Sequence, residues 1–313
     1  MISMRYHLVS IAAVLLALGV GVVLGSTTLS RTLLSGLSSD NADLGRNLNQ
    51  AEAERDALRT KLADADSFAQ SVGASAVRGQ LDKRTVMLVT TVDTKPTERD
   101  AVSSLITAAG ATVTGEVQLT DAFTDPQRSD QLKDIVTRLL PAGVQLPTAT
   151  DPGTLAGGLL GPLVLISKEN NKPQASADER AAALAGLAEG GFVRVGPDLA
   201  PGQLVVVMAG GAAQGDGAGD RAATVARLAI QLDQSGAGAV LAGPATSADG
   251  TGALGVVRAD TAATSLLSTV DNLDTAAGQV VTVLALREQL EGESGRYGTA
   301  ANAQSPAPGA PAE

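Results

Sequence analysis

The stretch TVMLVTTVD, residues 85–93, followed by TKPTE, residues 94–98, decides the fold. Residues 85–92 are all apolar or β-branched, with no alternation of polar side chains. A short run that is apolar on both faces reads as a strand covered on both sides. Pro96, Thr97 and Glu98 suit the first turn of a helix, which Gly110 would stop. TVTGEVQL, residues 112–119, then reads as a second strand. A strand, a helix and a strand in that order form a crossover unit with parallel strands.

The same texture continues toward the C-terminus. Residues 127–140 read as a helix ended by Pro141 and Gly143, and LVLIS at 163–167 as a strand. Residues 177–189 read as a helix closed by Gly190 and Gly191, with strands in FVRVG and in LVVVMAG at 204–210. A helix at 221–233, a strand at 238–243 and a strand at 266–272 come next. VVRAD is short and ambiguous, and a final helix capped by Asp274 or Thr275 reaches about residue 290. Buried strands separated by helices imply a mainly parallel, Rossmann-like α/β domain with helices on both faces, over 84–292. The Ala, Gly, Pro, Ser and Gln of 293–313 predict a disordered tail.

Upstream the pattern changes to heptads. With a positions at Leu34, Asn41, Leu48, Arg55, Leu62 and Ala69, the d positions are Ser30, Leu37, Leu44, Ala51, Leu58, Ala65 and Val72. This is a coiled-coil stalk over 28–80, about six heptads long. Asn41 and Arg55 are polar a residues, which cost stability but set register and favour a dimer. In a parallel pair Glu54 would meet Arg59 of the other copy, and Lys61 would meet Asp66. A single amphipathic helix lying on its own domain is the alternative reading.

Before the stalk, LVSIAAVLLALGVGVVLG at 8–25 carries no charge, and Ser10 is its only hydroxyl. As a helix it is about 27 Å long, enough for a thin bilayer. It reads as a retained anchor within a first segment of 1–27, because a secretory signal's apolar core is usually shorter. Cleavage before Ser26 is the alternative. Arg5 precedes the run and Arg31 is the first basic residue after it, so the positive-inside rule leaves a short cytoplasmic tail and exports the rest. Ala13, Ala17, Gly21 and Gly25 recur every four residues, a small-residue stripe of the kind that lets membrane helices approach closely. A parallel homo-oligomer is expected from stripe and stalk together.

Composition limits the chemistry. The net charge is −10, which disfavours nucleic acid and anionic headgroups as partners. There is no cysteine, so disulfides, thiolate catalysis and Cys metal sites are excluded. Aromatics are 2%, and neither aromatic girdles nor repeated alternating ten-residue segments mark a membrane β-barrel. AGGAAQGDGAGD at 209–220 lies where an α/β fold would cradle phosphate. It matches neither phosphate-binding pattern, however, and Asp216 and Asp220 would repel an anion, so it reads as a surface loop. Asp93 and Asp271 end strands, but the only histidine, His7, is far along the chain from either. No catalytic residue, cofactor or enzyme activity is expected. Met4 and His7 are weak candidate metal ligands, whereas Met87 and Met208 read as core.

Three blocks carry a resemblance. They are MISMRYHLVSIAAVLLALGVGVVLGS at 1–26, RDALRTKLADADSF at 55–68 and STVDNLDTAAGQVVTVLALREQLEGESGRYG at 268–298. With order and spacing kept almost end to end, the chain resembles the actinobacterial copper-transport outer-membrane protein family of the MctB type. The resemblance implies a cell-envelope protein of copper efflux and resistance, pore-forming across the outer membrane, with copper ions as its cargo. The residues themselves favour an inner-membrane anchor. A Cu(I) site wants soft sulfur and imidazole ligands, and this chain has one His and four Met. Two functions are therefore expected to compete: a transport component, or an anchored scaffold that binds an envelope partner.

Overall fold

The computed structural model describes residues 4–310, and over 26–42 the helical backbone alone. The chain divides into two compact units, Met1–Asp64 and Ala65–Glu313. Helix α1, Met4–Ala76, supplies the described part of the first unit and the first residues of the second.

The second unit is built on a seven-stranded sheet in the order β3-β2-β1-β4-β5-β6-β7. The strands are β1 Thr85–Thr91, β2 Thr112–Leu119, β3 Val193–Val195, β4 Leu204–Met208, β5 Ala239–Ala242, β6 Ser268–Val270 and β7 Arg296–Tyr297. All neighbours pair in parallel except β2 with the edge strand β3. This is the doubly wound order, which reverses direction between β1 and β4.

Strand β1 shows why the opening run is apolar throughout. Met87 and Val89 enter one apolar layer, and Val86 and Leu88 enter the other. Helices α2 (Pro96–Ala108) and α10 (Ala276–Leu290) cover the second layer. The first is covered by α4 (Ser129–Arg138), α5 (Pro152–Val164), α6 (Ala177–Glu189), α7 (Ala218–Ser235) and α8 (Ala253–Arg258). Two single-turn helices, α3 (Asp121–Thr124) and α9 (Thr261–Thr264), come after β2 and α8.

Three expectations change. LVLIS is not a strand: α5 runs through Val164, and only Leu165 and Ile166 make isolated bridges, to Gly202 and Pro173. Asp151 caps α5 by accepting from the Thr154 amide at 2.8 Å, and Pro152 occupies its first turn. Gly153, Gly157 and Gly161 let α5 lie against α7. A methyl group at Gly153 would come within 2.4 Å of the Thr224 carbonyl, and one at Gly157 within 2.5 Å of Gln231 Cβ. Close approach of α7 thus stabilises a helix that glycine propensity opposes. VVRAD is resolved as the end of α8.

The tail is the second change. Residues 296–305 close the sheet edge, because β7 pairs with β6 and Tyr297 bridges to Ser305. Disorder does not describe this part, and residues 311–313 lie outside the described ones.

The third change concerns the stalk. Its last turns belong to the α/β unit. Asp66 accepts the Ala276 amide at 2.5 Å, capping α10, while Gly73 packs on Val280 and Leu105. One oxygen of Asp66, the residue expected to meet Lys61 of another copy, is therefore engaged within its own chain.

Candidate functional site

The apolar segment of α1 is, among the described residues, the one helix long and apolar enough to cross a membrane, Met4–Gly25, with none of its surface buried. Ala13, Ala17, Gly21 and Gly25 are exposed along one side, and a Cβ at Gly21 or Gly25 would meet nothing within 4 Å. The backbone is thus open to a partner helix along that stripe. Met4 and His7 lie about one turn apart and both are exposed. Among the described residues no group of three His, Cys, Asp or Glu side chains converges as a metal site. Met87 and Met208 are fully buried in β1 and β4, one in each apolar layer.

Farther along α1, Leu44, Leu48, Leu58 and Leu62 are each at least 60% exposed. These are four of the a and d positions, and Arg55 between them is held by its neighbour Asp56 at 3.0 Å. The side chains of Leu34, Leu37 and Asn41 lie outside the described residues. Exposed large apolar side chains repeated along one helix form a stripe without a partner in the single chain.

The two strand-end carboxylates behave differently. Asp271 follows β6 and is fully buried against Arg258 of α8, which donates to its Oδ2 at 2.7 Å. Its Oδ1 accepts the amides of Thr299 at 2.7 Å and Ala300 at 3.0 Å. Arg258 also donates to Thr269, Asn302 and the Tyr297 carbonyl. Burial pulls the Arg258 guanidinium down from its ordinary range, against the opposing pull of Asp271. This carboxylate holds the C-terminal segment in place, and it is not a site.

Asp93 instead lines a cavity of about 370 Å³ at the carboxyl ends of β1, β2 and β4. This is the point where the strand order reverses, the usual ligand crevice of an open α/β sheet. The glycine-rich loop after β4 forms one wall, and Arg221 at the start of α7 donates to the carbonyls of Asp216 and Gln214. That pair of bonds folds the loop back on its own helix. Asp121, after β2, lines the same cavity. In the β1–β2 register Thr91 faces Leu119, so Asp93 and Asp121 each stand two residues beyond a paired position. Asp121 and Arg221 were not singled out by sequence. The matched offset from two strand ends is the signal that would have found Asp121.

The fold and the exposed segment define an α/β protein whose N-terminal helix is long and apolar enough for a membrane. The comparisons make this specific: over residues 1–308 the chain matches the family described as "Copper transport outer membrane protein, MctB", and it belongs to that family. It is 40% identical over 310 residues to "Copper transporter MctB" of Mycobacterium tuberculosis (strain ATCC 25618 / H37Rv), covering 97% of this chain and 98% of the relative. It is 37% identical over 313 residues to the protein of the same name from Mycobacterium leprae (strain TN), again covering 97% and 98%.

Proposed function

We propose that this chain serves copper transport across the cell envelope as a membrane-anchored, self-associating component whose α/β domain lies outside the cytoplasm. The near full-length match to proteins named copper transporters carries this reading. Copper is the cargo in this reading and is not a resident cofactor, since one His and four Met, two of them locked in the core, make a poor soft ligand set. No catalytic role is assigned to the domain. Arg5, before the apolar run, favours export of the chain beyond that run.

Self-association runs through a parallel coiled coil of α1 and the Ala13–Ala17–Gly21–Gly25 stripe. The exposed leucines at 44, 48, 58 and 62 support it, as does the attraction of Glu54 for Arg59 of a second copy. With Asp66 and Gly73 engaged in the α/β unit, the zipper ends near Leu62. The second reading, an anchored scaffold that binds an envelope partner and moves no ion, is favoured by the absence of charge along 8–25.

A copper flux assay on liposomes carrying the purified full chain separates the two. Protein-dependent flux supports a transport component, and none at full incorporation supports the scaffold. Leu48→Cys and Leu62→Cys should each cross-link to the same position of another copy. Failure at both positions would favour a single helix.

A further inference from the structure

Phe68 stands apart from the other aromatic side chains of the α/β unit. The chain has three phenylalanines, and the other two, Phe123 and Phe192, are fully buried. Phe68 is 68% exposed on α1, and Val72, one turn on, is 39% exposed. The other side of that helix is taken by its own α/β unit, through Asp66 on the Ala276 amide and Gly73 against Val280 and Leu105. Exposed apolar side chains side by side call for cover.

Helix α10 is short of cover as well. From Ala276 to Leu286 it has no charged side chain. A helix that is apolar on every side is normally enclosed on every side. Val281, Val283 and Leu286 are buried, but Val280 is only half-buried, as is Leu105 of α2 beside it.

The heptad register brings the two together. In a parallel pair each g residue meets the e residue five positions farther along the other copy. Glu54 with Arg59 and Lys61 with Asp66 are two such pairs, and both attract. Asp66 gives one oxygen to Ala276 and keeps the other for that lysine. The next pair sets Phe68 opposite Gly73 of the second copy. Gly73 is itself buried under Val280 and Leu105, so those two side chains are what Phe68 reaches. Each copy's own α/β unit takes the a and e side of α1 beyond Leu62, and the g side stays open.

We propose that Phe68 of one copy packs on Val280 and Leu105 of a second copy, so that each α/β unit is completed by an aromatic side chain of its partner. Two equivalent contacts form, because the pair is two-fold symmetric. This contact rests on the parallel self-association proposed above and extends it from the stalk into the α/β units.

The chain contains no cysteine, so introduced thiols report without background. The full chain is treated with a short bismaleimide in nonionic detergent. Chains carrying Phe68→Cys, co-expressed with chains carrying Val280→Cys or Leu105→Cys, should cross-link to them. Each single-cysteine preparation alone should give at least fivefold less. Leu48→Cys reports pairing of the stalk. If Leu48→Cys cross-links to its own copy and neither mixture cross-links, the docking is overturned while the zipper stands. If nothing cross-links, both fall. Phe68→Cys that cross-links to itself as well as in the mixtures also overturns the docking. A second measurement leaves α2 and α10 untouched. A water-soluble maleimide should label Phe68→Cys at least fivefold more slowly than the same variant carrying Leu48→Glu and Leu58→Glu, which break the zipper. Equal labelling rates overturn the proposal.

Discussion

Arg258→Met tests the energetics of the C-terminal closure. The substitution keeps an unbranched side chain in α8 but removes every donor. Asp271 Oδ2 then loses its 2.7 Å partner while fully buried, and the carbonyl of Tyr297 loses its 2.8 Å donor. Removing one partner of a buried ion pair costs about 3–5 kcal/mol. The Tyr297 carbonyl keeps the Asp271 amide at 3.0 Å, so the lost guanidinium does not leave it bare. The expected loss at pH 7 is therefore that of the stranded carboxylate, about 3–5 kcal/mol. Adding Asp271→Asn removes the stranded charge yet keeps an acceptor for the Thr299 and Ala300 amides, so the double variant should recover more than half the loss at pH 7. Pulse proteolysis in urea on the detergent-solubilised full chain measures this, with cleavage after 298 reporting release of the tail. A loss under 1 kcal/mol, or a double variant no better than the single, would refute the reasoning.

Other consequences are as specific. Burial raises the Asp233 carboxyl to about 6 from its ordinary 3.8, although the Ala239 amide favours its charge. The folded state therefore holds a proton that the unfolded chain releases, and stability falls as pH rises from about 4 to about 6, by on the order of 3 kcal/mol. Asp233→Asn should flatten that part of the pH–stability curve and raise the melting temperature at pH 7.5; an unchanged curve would contradict it. Gly157→Val drives a branched side chain into α7 where even a methyl is 2.5 Å from Gln231, and should cost about 1–3 kcal/mol in thermal melts, whereas Gly250→Val, with open space around it and no left-handed backbone, should cost less. A competition titration of the full chain against a Cu(I) chelator should find no stoichiometric sub-micromolar site; finding one would demand a ligand set from the buried Met87 and Met208. N-terminal sequencing should recover chains that keep the segment before Ser26, and a mature start at Ser26 would make the run a signal.

The parts of the fold written in local periodicity were legible, and the parts written in tertiary contact were not. Strand β1 could be read because both layers it enters demand apolar side chains, and the Pro96 helix start follows it at once. Helix α5 was hidden because LVLIS has β-propensity and the glycines before it argue against a helix. Its local evidence was the Asp151–Pro152 cap and the four-residue recurrence of Gly153, Gly157 and Gly161, a contact stripe that needs α7 to have meaning. The tail failed for a related reason. Its composition carries no core, and its order is supplied by Arg258 and Asp271, thirteen residues apart and both removed from solvent. Asp93 and Asp271 look alike in sequence, each ending a strand, and only burial separates the free carboxylate from the tail's anchor.

That separation bears on how a chain of a copper-transport family can offer so few soft ligands. The charged groups that the α/β unit buries most deeply are committed to architecture. Asp271 and Arg258 hold the edge, and Asp233 receives the amide that begins β5. Among the described residues the leucine stripe of α1 and the switch-point cavity are two surfaces that stay open. Neither is soft, and a soft ion such as Cu(I) would gain little at either. The stripe answers to another apolar helix. Under the proposed function, copper movement would then arise from the assembly that α1 builds rather than from a ligand set in the α/β domain. A copper flux that is abolished by polar substitution of Leu48 and Leu58 would support that route, and a flux that survives it would refute it.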